Sequence, residues 1–165
     1  MGHPVMKNRI HTIMYRILKR TALALFVCCY SFSAGAVDED ETLTNERVSA
    51  FWKSFNNDLS SGRMEIYLSQ WAKDAERITP SIHARGIDEI RATYENYLSA
   101  FSDFHQLELR RVVDGNVAVS ELLTTAKNRK TGKVLTLPNV AIIELNDEGK
   151  VKRARVYLDT AKFDP

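Results

Sequence analysis

Cysteine and histidine are both scarce in this chain. The two cysteines, Cys28 and Cys29, are adjacent and lie near the amino terminus. If that segment is removed, as its composition indicates below, no thiol remains for a disulfide, a nucleophile or a thiolate metal site. Beyond it the histidines are His83 and His105, which lack the HxxxH or HxH spacing of a metal site. We therefore expect no bound metal and no cofactor.

Acidic residues are absent from the first 36 positions. Five basic residues there precede an apolar run, Thr21–Phe32, and small residues follow up to Ala36, a pattern typical of a secretory signal peptide. A start at Met6 or Met14 would shorten this leader. A run of about a dozen apolar residues is short for crossing about 30 Å of hydrocarbon, so we expect no membrane anchor after cleavage. The sequence thus predicts a signal peptide over residues 1–36 and a periplasmic or secreted protein.

An excess of positive charge is also absent once the leader is set aside. The full chain has 23 Lys and Arg against 21 Asp and Glu, and loss of the five basic leader residues leaves 18 against 21, or −3. A basic group within 127–133 has no interleaved aromatic residues, so we expect no nucleic acid partner. The chain beyond residue 36 is long enough for one domain with a single core. We assign 37–46 to a flexible acidic segment and 47–163 to that domain.

Apolar residues at helical spacing predict three helices in the first half of this domain. Their apolar faces run from Val48 to Leu59, from Met64 to Trp71, and from Gly86, which starts the third helix, to Phe101. Residues 75–82 contain a proline, which favours an edge strand or an extended segment over a central strand.

Runs rich in Val, Ile and Leu predict four strands in the second half. These runs are His105–Val113, Val117–Ala126, Val134–Leu145 and Val151–Asp159. Turn-forming residues separate them, and the last two make a long hairpin. Helices followed by an antiparallel meander predict an α+β domain with helices packed on one face of a curved sheet.

Four stretches of the chain carry a family resemblance: DAERITPSIHARGIDEIRATYENYLSAFSDF, RRVVDGNVAVSE, TGKVLTLPNVAIIEL and GKVKRARVYLD. They resemble the nuclear transport factor 2-like superfamily, in particular its SnoaL-like branch. The resemblance implies a cone-shaped, curved mixed sheet with three amino-terminal helices packed on its concave face. It is less specific for activity, because this fold is shared by isomerases, epoxide hydrolases, cyclases, dehydratases and non-catalytic subunits.

Carboxylates are missing where the resemblance implies catalytic acids. Ketosteroid isomerases imply two acids and a tyrosine at positions that hold Thr79, Ala141 and Phe55 here. These side chains cannot serve as a carboxylate base or donate hydrogen bonds to an enolate. Epoxide hydrolases and SnoaL-type cyclases imply an aspartate in a final-strand motif R-D-Y-W/F-D, which here reads RVYLD with Val156 in its place. Isomerase, epoxide hydrolase and cyclase chemistry are therefore disfavoured.

A resemblance to scytalone dehydratase implies a different site. It suggests His83 and His105 as acid and base, with Asn139 polarising the substrate. Histidine can move protons near neutral pH because its unperturbed pKa is about 6.5. The tyrosine that the dehydratase implies near Thr79 is missing. Alternatively, His105 could simply cap the apolar face of its strand.

Two functions from different classes therefore remain open, and a third can coexist with either. The first is an exported protein that binds a small hydrophobic molecule in a closed apolar pocket of several hundred Å³. The second is a lyase or isomerase that uses the two histidines. The third is a homodimer that pairs through the sheet face carrying Arg155 and Tyr157. The expected pocket residues are Phe55, Thr79, Tyr94, Ala141 and Val156.

Overall fold

The computed structural model describes residues 38–159. The predicted signal peptide lies outside the described residues. Within 38–159, no helix is both long enough and apolar enough to span a bilayer.

The first helix, α1, spans Glu39–Ser54 and continues into a π-helical turn, Phe55–Leu59. It begins before the first residue of the predicted apolar face, and it includes most of the segment 37–46 that we expected to be flexible. The side chain of Asp38 caps the helix by accepting a hydrogen bond from the backbone N–H of Asp40 at 3.2 Å. Acidic residues in the first turn also favour a helix start, because they complement the helix dipole.

Two further helices were predicted with accurate starts but overlong ends. Helix α2 spans Met64–Leu68 and helix α3 spans Gly86–Ala100. Gly86 has a φ of 74°, a conformation that glycine adopts without steric cost, and it starts α3 as predicted. Trp71 and Phe101, which we assigned to helix faces, are instead the first residues of strands.

Six strands form one curved, open, mixed sheet, as the resemblance implies. The six strands are β1 Trp71–Ile78, β2 His83–Arg85, β3 Phe101–Asp114, β4 Val117–Asn128, β5 Val134–Leu145 and β6 Val151–Leu158. Their order in the sheet is β2-β1-β6-β5-β4-β3, and neighbouring strands are antiparallel except β1 and β6, which are parallel. The four strands predicted in the second half are confirmed as β3 to β6.

The position of β1 corrects one prediction. We expected residues 75–82 to form an edge strand or extended segment, but β1 lies between β2 and β6. Pro80 falls after the end of the strand, in a turn where the backbone N–H of Thr79 donates to the carbonyl of Ile82 at 2.8 Å. The proline therefore removes no hydrogen bond from the sheet.

An aromatic cluster joins the helices to the inner face of the sheet. Phe51 packs edge-on against Trp52 and Trp71, with ring centroids 4.8 and 5.5 Å apart, and Tyr67 packs at right angles to Tyr94 at 5.1 Å. All five of these residues are buried. Such pairs add about 0.5–1.5 kcal/mol each beyond the area they bury, so this cluster fixes the helices on the sheet.

A polar network also joins α1 to β3 and β4. The indole N–H of Trp52 donates to Ser120 Oγ at 3.3 Å, and Ser120 donates to Glu108 Oε1 at 2.6 Å. Arg111 pairs with Glu108, and its Nη1 also donates to the backbone carbonyl of Asn45 at 2.6 Å. Glu108 and Arg111 each have a partner, so the network leaves neither charge uncompensated.

Candidate functional site

A cavity lies between the helices and the inner face of the sheet. Its volume is about 70 Å³, and its walls come from the π-helical turn, α3 and five of the six strands. The cavity is smaller than the several hundred Å³ that we expected, because side chains fill part of the cone. Its walls are mostly apolar and include Phe55, Leu59, Phe104, Leu137 and Val156.

Arg77, on β1, extends its guanidinium to this cavity and is 6% exposed. Its Nε donates to the hydroxyl of Tyr94 at 3.2 Å. The guanidinium carbon lies 5.0 Å from the ring centroid of Tyr94 and 5.3 Å from that of Tyr97. Cation–π contacts of this kind contribute about 2 kcal/mol or more when the cation is desolvated. The aromatic rings thus stabilise a positive charge that is largely removed from the protein surface.

This guanidinium has no carboxylate partner in the part of the chain that the structure describes. Its Nη1 is buried without a hydrogen-bond partner there. Burial by itself lowers the pKa of Arg77, but Tyr94 and Tyr97 outweigh burial, so the pKa lies above its ordinary value. The side chain therefore stays charged at every physiological pH.

The hydroxyl groups of two buried tyrosines extend the arginine contact inward. Tyr67 and Tyr94 share a hydrogen bond of 2.8 Å between their hydroxyl oxygens. Burial, followed by the proximity of Tyr94, raises the pKa of Tyr67 well above its ordinary value. The Tyr67 hydroxyl is therefore protonated at neutral pH and supplies no negative charge to Arg77.

Asn139, on β5, presents a second unpaired atom and is 7% exposed. Its Nδ2 donates to Thr124 Oγ1 at 2.7 Å and to the carbonyl of Leu137 at 3.0 Å. Thr124 in turn donates to Gln106 Oε1 at 2.6 Å. These acceptors fix the orientation of the amide. The Oδ1 of Asn139 consequently has no partner among the described residues, although Asn139 lines the cavity.

Four of the residues that we singled out line this cavity, and two of the expected pocket residues do not. Phe55, Tyr94, Asn139 and Val156 are in its walls. Ala141 is fully buried in the core instead of lining the cavity. Thr79 lies past the end of β1, where its hydroxyl accepts from the backbone N–H of Ile82 at 3.1 Å.

The two histidines do not meet in the cavity. The side chain of His83 is 43% exposed, and its Nε2 accepts a hydrogen bond from Arg85 Nε at 3.3 Å. His105 is also exposed, and the next residue, Gln106, takes the inward position on β3. A shift in strand register between Ser102 and His105 accompanies this orientation. The geometry therefore gives no support to an acid/base pair formed by these two rings.

Arg77, Thr124 and Gln106 are cavity residues that the sequence reasoning missed. We had assigned residues 75–82 to an edge strand or an extended segment, where an arginine is expected to face solvent. Arg77 follows the fully buried Ala75 at a spacing of two, which places both on the same face of the strand. A charged residue at the inward parity of an interior strand was the signal that could have identified Arg77.

Metal-binding clusters are absent from residues 38–159: no group of three or more His, Cys, Asp or Glu side chains there could hold an ion. In the same part of the chain, no aspartate or glutamate lines the cavity. The site therefore presents a cation, two amides, hydroxyls and apolar walls.

The sequence profile of the SnoaL-like domain matches residues 44–154. The chain belongs to the SnoaL-like domain family. This range includes all the cavity residues except Val156 and Leu158. No curated protein matches the sequence.

Solved structures similar to this SnoaL-like protein include both enzymes and a protein of unknown function. An NTF2-like protein of unknown function from Burkholderia pseudomallei K96243 has a TM-score of 0.65 and 16% identity, covering 73% of this chain and 94% of its own. The epoxide hydrolase/cyclase-like enzyme SalBIII, described in pyran ring formation in salinomycin, has a TM-score of 0.64 and 16% identity, covering 74% and 95%. An epoxide hydrolase from M. tuberculosis, described as LEH-like, has a TM-score of 0.61 and 15% identity, covering 74% and 86%. At these identities the similarity shows the fold and leaves the reaction open.

Proposed function

We propose that this SnoaL-like protein binds a small, largely apolar molecule in the cavity between its helices and sheet. One observation carries the proposal: two buried polar atoms at an apolar cavity, Arg77 Nη1 and Asn139 Oδ1, lack partners among the described residues. A buried polar group without a hydrogen bond costs about 1–3 kcal/mol, and more if it is charged. A bound molecule would supply the missing partners while its remaining surface contacts the apolar walls.

The volume of the cavity limits the size of the part of the ligand that can be buried. A water molecule needs about 10–15 Å³ of such volume, so a cavity of about 70 Å³ holds about five to seven water-sized groups. We therefore expect a ligand whose buried part has about that number of non-hydrogen atoms. Larger molecules would need to extend out of the cavity.

Binding is favoured over the alternative lyase or isomerase function. That function requires two imidazoles within hydrogen-bond reach of one substrate. His83 and His105 are both exposed, and neither lines the cavity. The described cavity walls also contain no carboxylate that could replace them as a base.

A cavity-filling substitution tests the binding function. Val156→Phe adds a ring to the cavity wall and should abolish binding of small apolar molecules such as 1-pentanol, measured by saturation-transfer NMR. The matched control is Val134→Phe, because Val134 is 66% exposed on the strand next to β6 and does not line the cavity. Equal binding by wild type and Val156→Phe, with both proteins folded, would contradict the proposal.

The natural ligand can be sought directly. Native mass spectrometry of protein purified from the compartment in which it accumulates should show a mass increment of a small molecule. Denaturing conditions should release that molecule, and Val156→Phe should lack it.

We also propose that the protein is exported after cleavage near Ala36. Support comes from the basic and apolar segments of the leader. Intact mass of the exported protein should correspond to a chain that begins at Val37. Recovery of uncleaved chain in the cytosol would contradict export.

The outer face of the sheet supports a homodimer as a coexisting property. Apolar side chains there are exposed and adjacent across strands: Val112 pairs with Val119 in register, and Val140 pairs with Tyr157. Contiguous exposed apolar patches on a soluble domain typically mark an interaction surface. Val119→Glu should give a monomer by sedimentation at micromolar concentration, whereas Ile66→Glu, at an exposed position on α2 instead of the sheet, should leave the dimer intact. A monomeric wild type would exclude this arrangement.

A further inference from the structure

We propose that the ligand of the cavity is a small monocarboxylate whose carboxylate pairs with Arg77 and whose apolar body lies against Phe55, Leu137 and Val156. The inference rests on the proposed binding function and adds the chemical class of the ligand. It starts from a permanently charged guanidinium at the wall of an apolar cavity without an acidic partner among the described residues.

Among the described residues, Arg77 is the one buried arginine on this sheet. Arg111 pairs with Glu108 and also bonds Asn45. Arg153 lies 3.1 Å from a carboxylate oxygen of Glu76 and 2.9 Å from one of Glu144. These two arginines are both paired, although neither is as buried as Arg77. A buried charge without a counter-ion is costly, so a structural role alone does not explain Arg77.

Part of the Arg77 guanidinium is left without a protein partner among the described residues. The Nε of Arg77 is already bonded to Tyr94, and the rings of Tyr94 and Tyr97 lie within cation–π distance. The terminal Nη1 remains without a partner. Guanidinium and carboxylate groups form strong charge-assisted hydrogen bonds, often with two parallel contacts. An anion at this place would satisfy the free N–H groups and compensate the buried charge.

The charge and the volume of the cavity restrict the proposed anion to one chemical class. The described walls provide a single cation, so a monoanion is neutralised, whereas a doubly charged phosphate or sulfate would leave a net negative charge in an apolar cavity. The volume fits about five to seven water-sized groups, and most of the wall is apolar. A short-chain or branched monocarboxylate has both the single charge and the apolar body. The unpaired Oδ1 of Asn139 would add a preference for a hydroxyl on that body.

Three organic probes and two inorganic ions test this ligand class on the wild-type protein. Pentanoate, pentanamide and pentylamine share a chain and differ in charge, and chloride and inorganic phosphate test for a general anion site. Titration followed by isothermal calorimetry and NMR should show pentanoate binding at least about 10-fold tighter than pentanamide, with pentylamine excluded. Affinity for pentanoate should fall as the pH drops below about 4, where a carboxyl group is protonated.

Two variants test whether the carboxylate of the ligand binds at Arg77. Arg77→Met should lower the affinity for pentanoate at least about 10-fold and leave pentanamide binding within about 2-fold. Lys73→Met is the matched control, because Lys73 is an exposed cation on the same strand and does not line the cavity. This control should bind pentanoate as the wild type does, which separates a direct contact from a change in net charge.

The outcomes distinguish failure of the ligand class from failure of the binding function. Equal affinity of the wild type for pentanoate and pentanamide would overturn the carboxylate proposal while leaving an apolar binding site. Chloride or phosphate binding as tightly as pentanoate would also overturn it, by showing a site for inorganic anions. If none of the organic probes bound and Val156→Phe changed nothing, the binding function itself would fail. Because the probe series uses the wild-type protein, it remains decisive even if Arg77→Met does not fold.

Discussion

Replacement of Arg77 by methionine should leave the free energy of unfolding of the ligand-free protein unchanged or raise it by about 1–3 kcal/mol. Methionine approximates the length of the arginine stem and fills an apolar wall without a charge. Catalytic or binding residues are often retained at a cost in stability, so a stabilising substitution is expected where a charge exists for a ligand. The prediction therefore distinguishes a binding role for Arg77 from a structural role.

The magnitude follows from two opposing sets of contacts. Methionine loses one hydrogen bond to Tyr94, at 3.2 Å, and two cation–π contacts at 5.0 and 5.3 Å. A hydrogen bond from a charged donor contributes about 1.5–3 kcal/mol, and each desolvated cation–π contact about 2. Against these stands the desolvation of a buried ion, which costs several kcal/mol, together with the unpaired Nη1. The two sides nearly cancel, and replacements of buried charges by apolar groups are often neutral or stabilising by about 1–4 kcal/mol.

Urea denaturation of wild type, Arg77→Met and Arg111→Met measures the effect. Arg111→Met should lower the free energy of unfolding by about 2–4 kcal/mol, because it leaves Glu108 without its cation and frees the acceptors on Asn45. Unchanged denaturant slopes would show that the unfolded states are comparable. A loss of more than about 3 kcal/mol in Arg77→Met, similar to that in Arg111→Met, would refute the reasoning and assign Arg77 to the structural core. Pentanoate at 100 times its Kd should stabilise wild type by about 2.7 kcal/mol and Arg77→Met much less.

Three further predictions concern residues that stabilise the helices and strands around the cavity. Ser120→Ala removes a buried hydroxyl that links α1 to β3 and should lower the free energy of unfolding by about 1–3 kcal/mol in urea; no change would show the link to be dispensable. The pKa of Glu76 is lowered from 4.5, chiefly by the hydrogen bond from Arg153, so its contribution to stability is complete above about pH 4.5 and is lost as the pH falls through the lower folded-state value. Glu76→Gln should therefore reduce the loss of stability as the pH falls below about 4.5, and an unchanged pH dependence of stability in acid would contradict this. Gly86→Ala, at a φ of 74°, should cost about 1 kcal/mol and lower the thermal midpoint, whereas unaltered melting would show that the turn relaxes.

Much of the fold could be predicted because apolar periodicity is strong in both halves of the chain. The alternating runs in the second half correctly gave β3 to β6, and the family resemblance gave the mixed sheet. Errors occurred at the ends of helices, where Trp71 and Phe101 continue the helical spacing but begin strands. An apolar residue just past a helix fits either element, since both bury it against the same core. Only tertiary packing decides between them.

The site was harder to predict than the fold, because strand parity depends on local irregularities. Asp103 has a positive φ of 55°, and the pairing of β3 with β4 shifts register between Ser102 and His105. A shift of one residue moves a side chain to the opposite face, so Gln106 lines the cavity and His105 does not. No pattern of residue types in the sequence predicts this irregularity. Tyr94, Asn139 and Val156, in contrast, lie on regular segments, and their inward positions were predicted.

The positive charge at the cavity matches the carboxylate ligand that we propose. The resemblance implies acids at positions that here hold Thr79, Ala141 and Val156, and Val156 contributes an apolar wall instead. A carboxylate at that position could pair with Arg77 or repel an anionic ligand, and either effect would remove the basis for carboxylate binding. With a valine there, the described cavity keeps a cation that no described acid neutralises. If the ligand provides the negative charge, as we propose, the valine at this position and the unpaired arginine act together in binding it. Val156→Asp should accordingly abolish pentanoate binding while Val156→Ala retains it. Retention of full affinity by a folded Val156→Asp protein would show that Arg77 does not set the charge preference of the cavity.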